Sequence, residues 1–286
     1  MEVVVLDRRR SIQFEAGRAL LLRVWVGGCL VLAVVAAGVW GDDVAATRTD
    51  PSAVAGAAVE HPLRGAIRFA QSSLEAMEGI RDYECLMRKR ERLGGELQTQ
   101  VMRMRFREEP FSVYFKFGEP TPGREVLYVA GRNDNKLLAH EGTGVKSYFG
   151  TVSLALDSPQ VLESSRHRIT DAGLKNTLKK LIAQWEQEAA YGEIDVRYYP
   201  DAKLGEIACR VVEVSHPRPR NQFPFHISRL YLNARTNLPV RVENYSWPRQ
   251  AGEPPVLVEE YTYIEMKTNV GFDDRHFDPK FEEYNF

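Results

Sequence analysis

The sequence is poor in cysteine and almost balanced in charge. Its 286 residues include three cysteines, and 38 Lys and Arg against 39 Asp and Glu leave a formal net charge of -1. So few cysteines exclude a disulfide-dense scaffold, and without a C-x-x-C pair no zinc site or other metal centre is indicated. Because positive charge is not in excess, nucleic acid is not expected as a partner.

Strong catalytic signatures are missing as well. The chain has no G-x-S-x-G elbow, no H-E-x-x-H helix, no P-loop and no G-x-G-x-x-G fingerprint. A hydrolase or metalloprotease of a common type is therefore disfavoured, and no cofactor is indicated. The sequence favours a non-enzymatic function.

One long apolar run, residues 24–40, carries no charge over seventeen positions. Arginines precede it and two aspartates follow it: Arg8, Arg9, Arg10, Arg18 and Arg23 on one side, Asp42 and Asp43 on the other. Its length falls between that of a secretory h-region and that of a spanning helix. We therefore predict a signal peptide or an N-terminal transmembrane anchor over residues 1–41, followed by a flexible linker over 42–61. The protein is expected to be exported, either to the periplasm or anchored in the membrane facing it.

A single folded domain is predicted over residues 62–286. Its first segment repeats apolar residues at three- and four-residue steps, which indicates an amphipathic helix ending near Gly79. The residues are Leu63, Ile67, Ala70, Leu74 and Met77. A second helix is predicted through about Tyr191, with Thr170 and Asp171 as N-cap candidates. Its apolar face consists of Leu174, Leu178, Leu181, Ile182 and Trp185.

Between and after these helices the apolar period changes to two, which is typical of antiparallel strands separated by turns. Strands are predicted at 82–92, 97–108, 111–117, 125–131, 136–142, 145–150, 194–200, 206–216, 226–234, 238–247 and 256–267. The fold class expected from this order is α+β, with helices packed on one large antiparallel sheet.

The inward positions of the early strands are unusually rich in methionine and phenylalanine. Together with a tryptophan of the second helix they predict an adaptable apolar lining for a ligand. These residues are Met87, Met102, Met104, Phe106, Phe115, Phe117 and Trp185. The alternative is a core filled by its own side chains. An open or a filled interior would distinguish the two.

Two cysteines, Cys85 and Cys209, follow the export segment and would enter an oxidising compartment together. A disulfide between them is one prediction, and separate burial of two small apolar side chains is the other.

Histidines and carboxylates supply the candidates for chemistry. His140 is predicted at a strand end, where a general base would be exposed, although a polar strand terminus in a turn is the favoured explanation. Asp274, His276 and Asp278 alternate and would share one side of an extended chain, but Asp278 precedes Pro279 and favours a turn. Glu259 and Glu260 cannot act as a pair on one face, because neighbouring strand residues point in opposite directions.

A proline-rich loop between two strands is basic. His216, Arg218, Arg220 and His226 would suit an anionic head group or an acidic partner, since arginine binds carboxylate and phosphate well. The alternative is a rigid connection whose charges are solvated.

Several stretches resemble known families. The first helix, the strand Tyr83–Arg92, the Gly94-Gly95 hairpin and FSVYFKF resemble the start of the periplasmic lipoprotein-carrier superfamily of the LolA and LolB type. GREVLYVAGRNDNKLLAHEG (123–142), GTVSLALDS (150–158), NLPVRVENYSWP (237–248) and EEYTYIEMKTNVGFDDRHFDP (259–279) resemble an exported bacterial family of unknown function.

The carrier resemblance implies a large curved antiparallel sheet, an incomplete β-barrel, with helices on its concave face over an apolar cavity. It further implies binding of a lipid or lipoprotein acyl chain without a cofactor. Fold alone does not establish function. Two alternatives therefore stay open, an envelope hydrolase using His140 or the Asp274, His276 and Asp278 trio, and a structural protein-interaction module.

Overall fold

The computed structural model describes residues 60–286. The predicted export segment over 1–41 and the linker up to residue 59 lie outside the described residues. Within the described part, no helix is both long and apolar enough to cross a membrane.

The described residues contain three α-helices, α1 (Pro62–Ala76), α2 (Pro159–Glu163) and α3 (Leu174–Glu188). The first confirms the predicted amphipathic helix. Pro62 occupies its first turn, where a missing N–H costs nothing, and the His61 ring accepts a hydrogen bond from the backbone N–H of Leu63 at 3.3 Å. The other helices follow one another across residues 159–188.

The predicted N-cap of α3 is wrong. Thr170 and Asp171 belong to a separate 3-10 turn. The N-cap is Gly173, which has no side chain to accept a hydrogen bond from the first turn of the helix. Gly173 has φ 103°, and a Cβ there would lie 2.6 Å from the Phe106 ring. Close packing of the chain on that ring, rather than capping chemistry, decides where α3 begins.

Eleven strands make one antiparallel sheet. They are β1 (Asp82–Leu93), β2 (Glu96–Arg107), β3 (Ser112–Phe117), β4 (Glu125–Val129), β5 (Leu137–His140), β6 (Val152–Leu154), β7 (Asp195–Leu204), β8 (Ile207–Ser215), β9 (Ile227–Asn233), β10 (Pro239–Ser246) and β11 (Val256–Thr268). Their spatial order is β6-β5-β4-β3-β2-β1-β11-β10-β9-β8-β7. Because β6 and β7 are unpaired edges, the curved sheet does not close. The predicted incomplete barrel with helices on its concave face is confirmed.

Ten of the eleven predicted strands are present, with shifted ends, and the strand predicted at 145–150 is wrong. Val145–Phe149 is a 3-10 turn, and the edge strand β6 follows it. Gly144 and Gly150 on either side have φ of 80° and 66°, outside the extended region. Alternation of polar and apolar residues cannot reveal such a break.

The main core lies between the concave face and the two long helices. Leu178 and Trp185 of α3 are fully buried there, together with Leu63 of α1 and Tyr83 of β1. The Tyr83 hydroxyl accepts a hydrogen bond from the backbone N–H of Leu174 at 3.0 Å, which ties the start of α3 to the sheet. The helices therefore cover only part of the concave face, near α3.

The convex face is covered by charged side chains and by the C-terminal segment, residues 270–286. Phe277 and Tyr284 of this segment pack on Tyr114 and Leu127, and the Tyr114 and Tyr284 rings stack with centroids 3.9 Å apart. The outer face of β3 and β4 is thereby buried without a second sheet.

Candidate functional site

A cavity of about 940 Å³ lies on the concave face, beside α3. Its floor is apolar and is formed by inward residues of β1 to β6, β10 and β11. The floor consists of Met87, Met102, Phe115, Phe117, Val126, Leu137, Ala139, Leu154, Val242 and Tyr263. The space between these side chains is not filled by the protein itself.

The chain from α2 to the start of α3 forms the opposite wall. We call residues 159–172 the covering segment. Val161 and Ile169 turn apolar side chains toward the cavity, and Ser164 and Ser165 lie between them. This segment contains only one short turn of α-helix and one 3-10 turn, so side chains of the sheet must hold it in position.

Glu91 of β1 is the first of two buried carboxylates that hold the covering segment. Only 1% of the residue is exposed. Its oxygens accept hydrogen bonds from the Ser165 hydroxyl at 3.2 Å, from the Arg166 backbone N–H at 3.1 Å and from the Tyr261 hydroxyl. Lys89 Nζ lies 3.3 Å away and completes the set of partners. The carboxylate is therefore fully used by the protein.

Glu259 of β11 is the second carboxylate, and it pairs with Glu91 in the sheet register. It accepts hydrogen bonds from Arg166 Nε at 2.9 Å and Asn244 Nδ2 at 2.8 Å, and its Oε2 lies 3.0 Å from His167 Nε2. Burial raises the pKa of Glu259, but hydrogen bonds with His167 and Asn244 outweigh burial and hold the pKa below its usual range. The ionised form is thus the one that holds the covering segment.

Lys89 is the cation at this polar end of the cavity. Burial lowers the pKa of its ammonium group, in spite of the opposing charge of Glu91. Nζ also lies 3.3 Å from the Ser165 hydroxyl oxygen. The cavity therefore combines a wide apolar floor with a small polar wall whose charges are paired within the chain.

The chain matches a family described as "Protein of unknown function (DUF1571)" over residues 80–286. The chain belongs to this family. No curated protein matches the sequence significantly. The DUF1571 match covers every strand of the sheet and both walls of the cavity, and α1 precedes it.

Several solved structures are similar to this chain at low identity. A DUF1329 family protein from Desulfovibrio piger is 12% identical, with 77% of this chain and 98% of that chain covered and a TM-score of 0.36. LprF from Mycobacterium bovis is 11% identical, with 75% and 97% covered and a TM-score of 0.39. A LolA superfamily protein from Nitrosomonas europaea is 14% identical, with 73% and 97% covered and a TM-score of 0.23. Likenesses this distant carry no argument about a ligand.

The seven predicted lining residues divide into two groups. Met87, Met102, Phe115 and Phe117 line the cavity. Met104, Phe106 and Trp185 do not, because they are buried in the main core together with residues of α1 and α3. The predicted pattern covers the whole concave face, whereas the helices fill one part of it.

The four residues of the predicted basic loop do not come together as an open anion-binding site. His216 is buried, stacks on Phe223 and lies 3.3 Å from Glu188. Arg220 pairs with Glu193 at 2.7 Å, and His226 Nδ1 lies 2.7 Å from the His216 carbonyl oxygen. Arg218 is exposed. Most of the loop thus holds the end of α3 and its own hairpin.

The two cysteines are not joined. Both are buried free thiols, Cys85 in the core under the helices and Cys209 in a cluster with Val211 and Tyr231 on the other face. Burial raises the pKa of Cys85 to about 12 and also raises that of Cys209. A Cys85–Cys209 disulfide is absent, and separate burial describes the two positions.

The catalytic candidates do not line the cavity. His140 follows the inward Ala139 on β5 and points to the other side of the sheet. Asp274 lies 2.9 Å from Arg107, and His276 Nδ1 lies 2.6 Å from Asp273. Asp278 accepts from the Lys280 backbone N–H at 2.8 Å, which is the predicted turn. Among residues 60–286, no group of His, Cys, Asp and Glu is arranged to hold a metal ion.

Sequence reasoning missed Glu91, Glu259 and the part of the covering segment they hold. His167 of this segment also contacts Glu259. One signal was available: Lys89 and Glu91 continue the inward series of Tyr83, Cys85 and Met87, so strand alternation places two charges on the buried face.

Proposed function

We propose that the domain binds the acyl chain of a lipid or lipoprotein in the cavity and catalyses no reaction. The unfilled apolar floor carries this proposal, and the volume of about 940 Å³ is typical of a ligand site. Burial of one methylene contributes about 0.8 kcal/mol, so ten contribute about 8 kcal/mol. If the entropic cost of association is left out, this free energy corresponds to a dissociation constant in roughly the micromolar range.

The polar wall supports a ligand held by its chain rather than by its head group. Glu91 and Glu259 are saturated by donors of the protein, and Lys89 is paired with Glu91. A bound molecule would therefore meet no free buried charge. Arg168 lies at the border of the cavity and is exposed, where a head group would remain in water.

The alternative of an envelope hydrolase has less support. Neither His140 nor the Asp274, His276 and Asp278 trio borders the cavity, and a saturated carboxylate is a poor general base. The alternative of an interaction module through the basic loop is weakened by the pairing of Arg220 with Glu193.

The location follows from the sequence and remains part of the proposal. Residues 1–41 would export the chain or anchor it, and residues 42–61 would link that segment to the domain. An acyl-binding domain outside the cytoplasm would then act in the periplasm or at the membrane surface.

The test is to fill the cavity and measure binding of cis-parinaric acid, a fatty acid that fluoresces in apolar surroundings. Ala139 lines the floor, so Ala139→Trp should place an indole where the chain would lie. We expect saturable binding by the full-length protein and at least about tenfold weaker binding by the variant. The indole would displace a few methylenes of the ligand from the cavity, and their burial contributes that much binding free energy. Extraction of the purified protein should also release an acyl-containing molecule.

Ala251→Trp is the matched control, because Ala251 lies in an exposed turn away from the cavity. It should bind as the wild type does. Thermal unfolding of both variants separates blocked binding from misfolding, since overpacking typically costs 1–3 kcal/mol. Absence of both probe binding and extracted lipid in the wild type would overturn the proposal.

A further inference from the structure

Apolar side chains are exposed together at one border of the cavity. Of the eight large hydrophobic residues exposed in the described part of the chain, five lie between positions 145 and 162. We call them the apolar rim: Val145, Tyr148, Phe149, Val152 and Leu162. Val145, Tyr148 and Phe149 are 76%, 89% and 73% exposed, which is unusual for residues of this size. The 3-10 turn between Gly144 and Gly150 presents all three.

We propose that the apolar rim docks on the surface of a lipid bilayer, so that an acyl chain enters the cavity directly from the membrane. This inference extends the proposed function by naming the source of the ligand. Phe149 and Val152 belong both to the rim and to the cavity lining, and Leu162 follows Val161 of the lining. A bilayer in contact with the rim would therefore be continuous with the apolar floor.

The composition of this region suits a membrane interface. Tyrosine is enriched where the bilayer meets water, because its ring is apolar and its hydroxyl is polar. No acidic residue occurs from position 142 to 156, so the turn presents no charge that anionic lipids would repel. The preceding Glu141 is paired with Arg124, at 3.5 Å.

The chain outside the described residues also favours a bilayer over a protein partner. Residues 24–40 are apolar, and nineteen residues, 41–59, separate them from the described domain. A flexible chain of that length spans about 25 Å. If the apolar segment stays in the membrane, the linker keeps the domain within reach of the lipid surface at high effective concentration.

The experiment places a fluorescent label on the rim of the full-length protein. Tyr148 does not line the cavity, so a bimane label in Tyr148→Cys leaves the acyl site intact. Cys29→Ser removes the thiol of the apolar segment, and burial protects Cys85 and Cys209. The protein is reconstituted into phosphatidylethanolamine–phosphatidylglycerol vesicles that contain a nitroxide-labelled phospholipid. We expect strong quenching at position 148, lowered severalfold by Val145→Glu.

The control label is attached through Tyr198→Cys. Tyr198 is also an exposed tyrosine, but it lies on β7, at the opposite edge of the sheet from β6. It should not be quenched. Equal quenching at both positions, or none at position 148, would overturn the docking proposal. A label at 148 that responds only to an added envelope protein would assign the rim to a protein partner instead.

Binding of cis-parinaric acid, measured on the same Tyr148→Cys protein, separates the two proposals. Quenching without acyl binding would contradict the proposed function and leave membrane docking in place. Acyl binding without quenching would contradict membrane docking and leave the proposed function in place.

Discussion

Glu259 and Glu260 are neighbours on β11, and both are 3% exposed, yet they serve opposite faces of the sheet. Glu260 lies on the convex face, where Arg88 and Arg90 of β1 contact it at 2.6 and 3.0 Å. Glu259 lies on the concave face, where Arg166 and His167 of the covering segment contact it. Glu260 joins one strand to another, and Glu259 joins the sheet to a loop.

The difference matters because the two sets of partners differ in how freely they move. Strands β1 and β11 are hydrogen-bonded along their length, so the partners of Glu260 stay in place unless the sheet unfolds. The covering segment is held by few backbone hydrogen bonds, and its contacts with Glu259 are open to local release. The same chemistry therefore joins two strands on one face and holds a wall of the cavity on the other.

The largest effect is expected from Glu260→Ala. The variant leaves the guanidinium groups of Arg88 and Arg90 without their shared carboxylate, and breaking a buried ion pair typically costs 3–5 kcal/mol. Because both arginines are about one-third exposed, we expect the free energy of unfolding to fall by about 3 kcal/mol. Urea denaturation measures it. Glu253→Ala, in an exposed turn, is the control, and a loss no larger than in that control would contradict the role of Glu260.

A smaller and local effect is expected from Glu259→Gln. The amide removes the charge that holds Arg166 and His167, so the covering segment should open more often, with a global loss of about 1–2 kcal/mol. Hydrogen exchange read by mass spectrometry should become faster in residues 159–168. Glu260→Gln is the matched control and should leave exchange in these residues unchanged. Uniformly faster exchange in both variants would remove the distinction between the two faces.

The smallest effect is the pH dependence of the covering segment. Because the pKa of Glu259 is lowered in the folded protein, its ionised form stabilises the contact above the usual glutamate range, and this stabilisation is lost as pH falls through the lowered value. The ratio of exchange rates in residues 159–168 between Glu259→Gln and wild type should therefore fall toward one as the pH drops from the usual glutamate range through the lowered pKa of Glu259. Intrinsic exchange cancels in this ratio. A ratio that does not change with pH would assign the contact to packing alone.

The strands were predicted well because alternation depends on local geometry that every strand shares. The errors arose where the backbone departs from that geometry. At residues 145–150 two glycines of positive φ bracket a turn, and at Gly173 the Phe106 ring determines the start of α3. Neither departure alters the pattern of apolar residues from which strands and helices are predicted.

The candidate site was less accessible to sequence reasoning. Strand alternation identified the inward face but not which part of it stays open, so Met102 at the cavity and Met104 in the packed core look equivalent in sequence. The contacts of Glu91 and Glu259 with the covering segment join residues more than seventy positions apart. No local pattern encodes contacts between such distant segments.

The sequence by itself determined the two long helices, most strands and the face to which each strand side chain belongs, because these follow from short-range periodicity. The tertiary structure alone decided how far the helices extend over the concave face, where the covering segment meets the sheet, and which apolar side chains border empty space. Periodicity fixes the direction in which a side chain points. The distance to the layer opposite depends on how the whole chain packs.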